Sequence, residues 1–494
     1  MEYGKTYIPI LGAQIYKSSS LQIKGLLLPV LLIAIDYFAV VGAVGTAYFF
    51  RSHIAAYLFS DVPSDFTIPY IFAYCVIPLT YLLFMQFDCL YTRRLLFWQQ
   101  VEKIFKVSLY AMLFILVVTY LAGSAREISR IFMVMVWVNS FVLLVISKWL
   151  SKKVLTIAGV WQIPVVVIGA GKTAELLVNA FKNDSGLGYK IVGLVEDNAI
   201  AFGLKEYPVI GSFDKAEEVV QRTGVKDVLI AAPGLEREEL LNMVYRLQPM
   251  VNNVTFVPDL FGVPVRDIEI DALFDQQTIL LKVRNNLALV INRLIKRAFD
   301  VLAGSLVFVI ASPIFAVIAL VVKLNSPGPV LYTGKRLGLE GKEFSCLKFR
   351  TMFVESDAIL ATHLQNDAEA RLEWETFAKL KVNDPRVTSI GRFLRRYSLD
   401  ELPQIFNVLA GDMSLVGPRP YLKREEAAMG VASKTILETR PGITGLWQVS
   451  GRNDLDFQQR TSLDAWYVRN WAFWLDIIIL FKTVKVVLTG KGAY

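Results

Sequence analysis

Four long apolar stretches in the first third of this chain constrain its fold more than any other sequence feature. They cover residues 25–50, 67–91, 107–123 and 131–146. Each is about long enough to cross a bilayer core, which takes roughly 20 residues of α-helix. Hydrophobic residues make up 54% of the chain and charged residues 19%, a more apolar balance than soluble domains show. We predict a four-helix transmembrane domain over residues 1–150.

Basic residues flank these stretches on alternate sides, as the positive-inside rule predicts for a cytoplasmic N-terminus. They are Lys17 and Lys24, then Arg93, Arg94, Lys103 and Lys106, then Lys148, Lys152 and Lys153. The first stretch is too long for a cleaved signal peptide. Four crossings return the chain to the cytoplasm, so we predict a multi-pass membrane protein whose later domains are cytoplasmic.

The charge balance predicts an anionic partner. A net charge of +8 favours either lipid headgroups or phosphorylated substrates. Nucleic acid is not expected, because much of the Lys and Arg flanks apolar runs. Three Cys without paired spacing and only two His give no basis for a disulfide framework or for a metal site built from thiolates and imidazoles.

Short β-branched runs separated by helical periods follow at residues 165–168, 191–195, 228–231 and 253–257. Such alternation is typical of a parallel α/β sheet. We predict a Rossmann-like (CoA-binding-like) cytoplasmic domain over 151–275 and a linker over 276–290.

A glycine turn, Gly169-Ala170-Gly171, follows the first of these runs, and Glu196 and Asp197 follow the second. Backbone N–H groups at such a turn can hold a phosphate, and a carboxylate after the second strand can bind a ribose. The turn matches the dinucleotide fingerprint only in part, since its third small residue comes early. A nucleotide site and a purely structural turn both remain open.

A third unit begins near residue 291 with an apolar segment over about 292–324, which Ser312-Pro313 interrupts. By length alone it could be an ordinary fifth crossing. Pro removes a backbone donor and bends a helix, and the adjacent Ser can bond a freed carbonyl. The alternative is therefore a re-entrant helix, broken at Ser312-Pro313, that enters and leaves by one face.

Basic residues between Pro- and Gly-rich turns dominate the remaining sequence. Fixed turns that present guanidinium and ammonium groups suit phosphate recognition, although a basic surface facing anionic lipid would look similar. The candidate phosphate-binding residues are Lys348, Arg350, Arg395 and Arg419.

The segment Ser398-Leu399-Asp400-Glu401-Leu402-Pro403 carries the candidate chemistry. Ser398 and Glu401 have capping-box spacing, which predicts a helix beginning at Ser398 or Asp400. A helix N-terminus would keep Asp400 ionised, and an aspartate can attack phosphorus. Asp400 and Glu401 could also hold Mg²⁺, which prefers hard oxygen ligands. The same spacing is common in simple structural caps.

Three motifs here resemble the bacterial polyprenyl-phosphate sugar-1-phosphate transferases. They are KFRTM at 348–352, SLDELPQIFNVLAGDMSLVGPRP at 398–420 and RPGITGLWQVSGR at 440–452. The resemblance implies that Asp400 attacks a UDP-sugar, releases UMP and passes the sugar phosphate to undecaprenyl phosphate. It further implies that Glu401 assists through Mg²⁺, that Arg395 and Arg419 contact phosphate, and that the third unit, 291–494, is an α-rich monotopic catalytic domain.

The same resemblance favours the re-entrant form of the 292–324 helix, because a fifth crossing would separate the catalytic domain from cytoplasmic nucleotide-sugars. It implies a homodimer of the bacterial inner membrane, with its active site on the cytoplasmic face, that begins O-antigen, capsule or exopolysaccharide synthesis. Overall likeness favours UDP-galactose, with glucose as the alternative sugar. An inactive scaffold of polysaccharide export is a rival of another class. A nucleotide-sugar dehydratase is a further rival, but residues 161–290 lack the Tyr-x-x-x-Lys pair that it needs.

Overall fold

The computed structural model describes residues 18–59, 66–123, 129–184, 186–198, 202–258, 269–273, 278–282, 285–377, 380, 384–451 and 455–489. Lys17 of the first basic cluster lies outside this set. The chain divides into two compact units, Met1–Asp259 and Leu260–Tyr494.

The first unit opens with a bundle of apolar helices. These are α1 (Ser18–Phe49), α2 (Ala56–Leu58), α3 (Ile77–Phe87), α4 (Phe97–Leu121) and α5 (Arg130–Ile157). Within the described residues, four helical segments are long and apolar enough to cross a membrane: Leu27–Leu58, Phe97–Leu121, Arg130–Ile157 and, in the second unit, Val290–Asn325. Apolar helices of membrane-spanning length are therefore confirmed for three of the four N-terminal stretches that the sequence predicted.

The second predicted stretch, 67–91, is shorter in the structure than the sequence indicated. Its apolar helix covers Phe72–Phe87. Pro69 explains the late start, since the residue before a proline is pushed out of the helical region. At the other end Cys89 adopts a left-handed φ of 57°, which the right-handed helix cannot include. At 1.5 Å per residue the helix is shorter than a bilayer core of about 30 Å.

A buried ion pair ties the two most extensively packed helices of this bundle together. Asp36 on α1 and Lys148 on α5 approach to 2.7 Å, with side-chain exposures of 0% and 1%. The ammonium group also lies 4.1 Å from the centre of the Tyr91 ring, and Ser147 donates a hydrogen bond to the Asp36 carboxylate. Charges this deep in an apolar bundle are tolerated only when they are paired.

Removing one partner of this pair should therefore destabilise the bundle strongly. We expect Asp36→Asn to lower the free energy of unfolding by about 3 kcal/mol, because Lys148 would remain charged and buried without its counterion. The double variant Asp36→Asn/Lys148→Met should recover most of that loss. Thermal unfolding in detergent micelles measures the loss of stability in Asp36→Asn, in Lys148→Met and in the double variant. A double variant whose loss equals the sum of the losses in the two single variants would contradict the pairing argument.

The first unit continues into an α/β domain built on one five-stranded sheet. Its elements are β1 (Ile163–Ile168), α6 (Lys172–Asn183), β2 (Tyr189–Val195), β3 (Val209–Gly211), α7 (Ala216–Thr223), β4 (Asp227–Ile230), α8 (Arg237–Leu247) and β5 (Asn253–Phe256). All strand pairs are parallel, in the order β3-β2-β1-β4-β5. This is the Rossmann order, so the predicted parallel sheet is confirmed. The short strand β3 was missed.

The glycine turn after β1 is held by a carboxylate of the protein itself. Gly169 has a φ of 97°, and a Cβ there would lie 2.8 Å from the Ala231 carbonyl oxygen, so the turn requires glycine. The Ala170 N–H donates to Glu196 Oε2 at 2.7 Å. Glu196 Oε1 accepts from the N–H groups of Asp197 and Asn198. Glu196 therefore bonds one of the turn's N–H groups, at the place where a phosphate was predicted.

The second unit begins with a hairpin and one long helix, β6 (Glu269–Leu273), β7 (Thr278–Lys282) and α9 (Val290–Asn325). The remaining elements are β8 (Leu331–Leu337), β9 (Glu343–Phe349), α10 (Ser356–Asn366), α11 (Ala368–Phe377), α12 (Ser389–Arg396), α13 (Gln404–Ala410), β10 (Ser414–Val416), α14 (Ala432–Ile436), β11 (Gly442–Thr444), α15 (Leu446–Ser450), α16 (Phe457–Arg469) and α17 (Phe473–Thr489). The compact units thus meet at 259/260, and part of the predicted 276–290 linker is the strand β7.

Helix α9 stays helical through Ser312 and Pro313, so the predicted break is not a gap in helical conformation. Pro313 cannot donate to the carbonyl four residues earlier, that of Val309. The Ser312 hydroxyl donates to that same carbonyl at 2.9 Å, as the sequence predicted. On either side of this point Phe308 and Phe315 both pack against Phe406, with ring centres 5.3 and 5.8 Å away. Both halves of the helix therefore contact one side chain of α13.

A buried polar network anchors the N-terminal part of α9. Lys296 Nζ lies 2.6 Å from Asp476 on α17 and donates to the Val416 carbonyl at the end of β10. The Tyr467 hydroxyl donates to the other Asp476 oxygen. One turn along, Asp300 accepts from the Ser414 hydroxyl and the Leu415 N–H. Helix α9 is thereby fixed to the strand that leads into the 417–420 turn.

Candidate active site

A cavity of about 720 Å³ lies within the second unit, at the end of the β8–β9 hairpin. Lys348, Arg350 and Thr351 line it from the KFRTM motif, Arg395, Ser398, Asp400 and Glu401 from α12 and the turn after it, and Trp447 and Gln448 from the 440–452 motif. The structure thus brings residues from all three motifs to one cavity. Arg452, at the end of the third motif, lies outside the described residues.

Asp400 and Glu401 sit side by side against Lys348. Lys348 Nζ lies 2.6 Å from Glu401 Oε1. Asp400 is only 9% exposed. Although burial alone would lower the pKa of Lys348, the charges of Glu401 and Asp400 raise it above its usual range. The cavity therefore contains two carboxylates and at least one firmly protonated ammonium group.

Burial raises the pKa of Asp400 to about 6, and the neighbouring Glu401 charge acts in the same direction. Lys348 and Arg395 oppose the rise. A carboxyl group with this pKa is roughly nine-tenths ionised at neutral pH. Asp400 is therefore mostly ionised at pH 7, and it is more basic than an exposed aspartate.

Two polar side chains, Thr351 and Asn407, hold the elements that carry the cations around Asp400. Arg395 donates from Nε to the Thr351 hydroxyl at 2.9 Å, which joins the end of α12 to the KFRTM segment. Asn407 on α13 donates to the Ser345 carbonyl and accepts from the Leu347 N–H. These two hydrogen bonds join strand β9 to α13 immediately before Lys348. Neither Thr351 nor Asn407 was predicted as a site residue, since their roles depend on contacts between distant segments.

The local conformation around Asp400 differs from the predicted helix N-terminus. Leu399–Glu401 forms a single 3-10 turn, Ser398 provides no side-chain cap to it and has a left-handed φ of 56°, and α13 begins only at Gln404. The ionisation of Asp400 therefore depends on Lys348 and Arg395 instead of a helix dipole. A left-handed non-glycine residue beside a buried carboxylate is the kind of strain that collects at functional sites.

The other two predicted phosphate-binding residues have different surroundings. Arg350 lines the cavity but donates to the Ser326 and Pro327 carbonyls, so its guanidinium group holds the segment that follows α9. Arg419 is not among the residues that line the cavity. Its guanidinium carbon lies 5.9 Å from the centre of the Trp447 ring, and Trp447 does line the cavity. Phosphate binding by either arginine stays a prediction.

Two further arginines at the cavity belong to basic runs that suit phosphate recognition, Lys335-Arg336 and Asp384-Pro385-Arg386, but were not among the four candidate phosphate-binding residues. Arg336 and Arg386 line the cavity, and Arg386 forms a two-point contact with Asp384. Asp464 is not among the residues that line the cavity. It accepts from the Arg419 N–H and the Tyr421 hydroxyl, and burial raises its pKa to about 7. The Asp-Pro-Arg run at 384–386 was a usable sequence signal. For Asp464 there was none.

The carboxylate oxygens of Asp400 and Glu401 could coordinate a magnesium ion only together with ligands from a bound substrate. Within the described residues no cluster of three or more His, Cys, Asp or Glu side chains could hold a metal. Magnesium sites commonly take one or two protein carboxylates and complete their coordination with substrate phosphate and water. Asp400 and Glu401 supply that number of hard oxygen ligands, so the fit requires a phosphorylated partner.

Comparison with known proteins gives two family matches. Residues 291–490 match the bacterial sugar transferase family, and residues 91–258 match a CoA-binding domain family. The chain is 38% identical to undecaprenyl-phosphate galactose phosphotransferase of Salmonella typhimurium over 82% of its length and 84% of that protein.

The chain belongs to the bacterial sugar transferase family. Two further relatives of this transferase support that placement. UDP-galactose-lipid carrier transferase of Erwinia amylovora is 35% identical over 82% of this chain and 84% of its own. UDP-glucose:undecaprenyl-phosphate glucose-1-phosphate transferase of Escherichia coli is 33% identical over 67% of this chain and 68% of its own.

The charges around Asp400 predict opposite pH shifts for two variants of this transferase. If ionised Asp400 is required, kcat/KM for the donor should fall as the pH drops through about 6. Glu401→Gln removes a negative neighbour and should move this acid limb to lower pH, and Lys348→Met should move it to higher pH, each by about one unit. The exposed Lys342, which pairs with Glu340, gives the control Lys342→Met with no shift. Shifts of Glu401→Gln and Lys348→Met in the same direction would refute this electrostatic account.

Proposed function

We propose that this transferase moves a sugar 1-phosphate from a UDP-sugar to undecaprenyl phosphate and releases UMP. The observation that carries the proposal is the buried, ionised Asp400 beside Glu401, Lys348 and Arg395. The names of the relatives support the class of donor and acceptor. An inactive scaffold would have no need for a buried carboxylate balanced by cations, which is costly to maintain.

In the proposed first step, an Asp400 oxygen attacks the phosphorus that carries the sugar. The bond from that phosphorus to the UMP oxygen breaks, and UMP leaves with the electron pair. An aspartyl phosphosugar remains. A phosphate oxygen of undecaprenyl phosphate then attacks the same phosphorus, the bond to Asp400 breaks, and the lipid diphosphate sugar is released. Asp400 returns to its starting state.

Two phosphorylated substrates must in turn approach one carboxylate, so repulsion has to be offset. Lys348 and Arg395 already lower the pKa of Asp400 through their charges, and they lie where a diphosphate would need positive neighbours. We propose that Asp400 and Glu401 also hold Mg²⁺ once substrate phosphate is bound. When bound, that ion would neutralise phosphate charge.

For the sugar we propose galactose, with glucose as the alternative. The two relatives with galactose in their names match 82% of this chain, whereas the glucose relative from Escherichia coli matches 67%. The family resemblance also leads us to propose a homodimer in the bacterial inner membrane. Its product would be the lipid-linked sugar that begins O-antigen, capsule or exopolysaccharide synthesis.

The proposed function is tested with purified protein, Mg²⁺, undecaprenyl phosphate and either UDP-galactose or UDP-glucose. UMP release with one donor identifies the sugar, and chelation of the metal should stop it. Asp400→Asn should reduce turnover about a thousandfold or more, because the nucleophile is removed with little change of shape. The exposed Asp214 of the first unit supplies the control Asp214→Asn.

A donor labelled in its sugar should also leave label on the wild-type protein when no acceptor is present. That label should be released by hydroxylamine and be absent from Asp400→Asn. Turnover of Asp400→Asn close to that of the wild type would rule out the covalent route.

We further propose that α9 is re-entrant, with both of its ends at the cytoplasmic face. Support comes from Ser312 bonding the Val309 carbonyl, from the two phenylalanines that meet Phe406, and from Lys296 and Lys323, which lie toward opposite ends of the helix. The exposed residues Arg293 and Lys323 are suitable positions for single cysteines in a cysteine-free background.

An impermeant thiol reagent should label neither Arg293→Cys nor Lys323→Cys from outside intact cells. Both should be labelled in inside-out vesicles, because each end would then face the reagent. Labelling of one site alone from outside the cell would show that α9 crosses the membrane.

A further inference from the structure

The cavity has two walls of different chemistry. Asp400, Glu401, Lys348 and Arg395 form its charged wall. Opposite in character is an apolar set of lining residues, which we name the apolar wall: Pro329, Leu331, Tyr332, Phe353 and Val354. Large apolar side chains that stay exposed in a cavity mark a binding surface. Tyr332 and Val354 keep 59% and 63% of their surface exposed.

We propose that the apolar wall binds the first isoprene units of the polyprenyl acceptor, next to its phosphate. This inference rests on the proposed function, since it places one substrate of that reaction. The ligand that fits must carry a phosphate for the charged wall and a hydrocarbon chain for the apolar wall. Of the two substrates only the lipid acceptor has both, because a nucleotide-sugar carries no hydrocarbon chain.

The position of the apolar wall in the chain agrees with a lipid ligand. Strand β8, which carries Leu331 and Tyr332, starts a few residues after α9 ends at Asn325. Helix α9 is apolar and long enough to cross a membrane, and Leu320 and Leu324 near its end are exposed.

Hydrogen bonds fix the connection between α9 and the apolar wall. Arg350 donates to the Ser326 and Pro327 carbonyls, and Lys323 donates to the carbonyl of Gly328. Gly328 lies so close to Val354 that an added Cβ would come within 2.7 Å of Val354 Cγ2. The short segment between α9 and the apolar wall is therefore held by hydrogen bonds and by close packing against Val354.

The test separates donor chemistry from acceptor binding in the full-length protein. Exchange of labelled UMP into the UDP-sugar, measured without acceptor, reports the first step. The KM for undecaprenyl phosphate in the complete reaction reports acceptor binding. Val354→Asn makes the wall polar without adding a charge near the phosphates. Val431 is 98% exposed and does not line the cavity, so Val431→Asn is the matched control.

We expect Val354→Asn to raise the acceptor KM at least tenfold and to change the exchange rate far less, with Val431→Asn like the wild type in both. Val354→Leu should preserve the acceptor KM. Should Val354→Asn fail to fold, Tyr332→Ser tests the same wall. An unchanged acceptor KM, or an equal rise in Val431→Asn, would overturn the apolar wall alone. A wild-type protein without exchange would overturn the proposed function, and the acceptor assignment with it.

Discussion

The arrangement of the second unit depends on keeping one carboxylate charged while it is largely removed from water. Asp400 is buried beside a second carboxylate, and both effects raise its pKa. An ionised carboxylate is tolerated at such a place only if cations are brought close and held there. Strand β9 supplies Lys348 and α12 supplies Arg395. Asn407 and Thr351, which touch neither carboxylate in any described hydrogen bond, fix those two elements.

Much of the fold and of the site could be predicted from the sequence, because both depend on patterns of residues that are close together in the chain. Apolar length indicated the membrane helices, and β-branched runs indicated four of the five parallel strands. The motifs also named Asp400, Glu401, Lys348 and Arg395, which the structure gathers at one cavity. What could not be predicted depends on partners far along the chain. The bonds of Arg350 to Ser326 and Pro327 are one case, and the bond of the Arg419 N–H to Asp464 is another.

The conformation of short segments could not be predicted from the sequence either. The spacing of Ser398 and Glu401 matched a capping box, yet Ser398 adopts a left-handed conformation and α13 starts at Gln404. Packing against α12 and β9 decides this turn, and a capping pattern carries no information about that packing. Helix α9 shows the same limit. Its hydropathy matches an ordinary membrane span, and only its contacts reveal that Lys296 and Asp300 are satisfied by α17 and β10.

The bond between Glu196 and the glycine turn of the α/β domain changes what a phosphate could do at that turn. A phosphate ligand that binds only the folded state of a domain stabilises that state more as the ligand concentration rises. Here the anion at the Ala170 N–H is covalently part of the chain, and its local concentration never varies. A domain that carries its own anion gains no stability from a phosphate at that N–H group. To reach that N–H group, a phosphate would have to displace the Glu196 carboxylate.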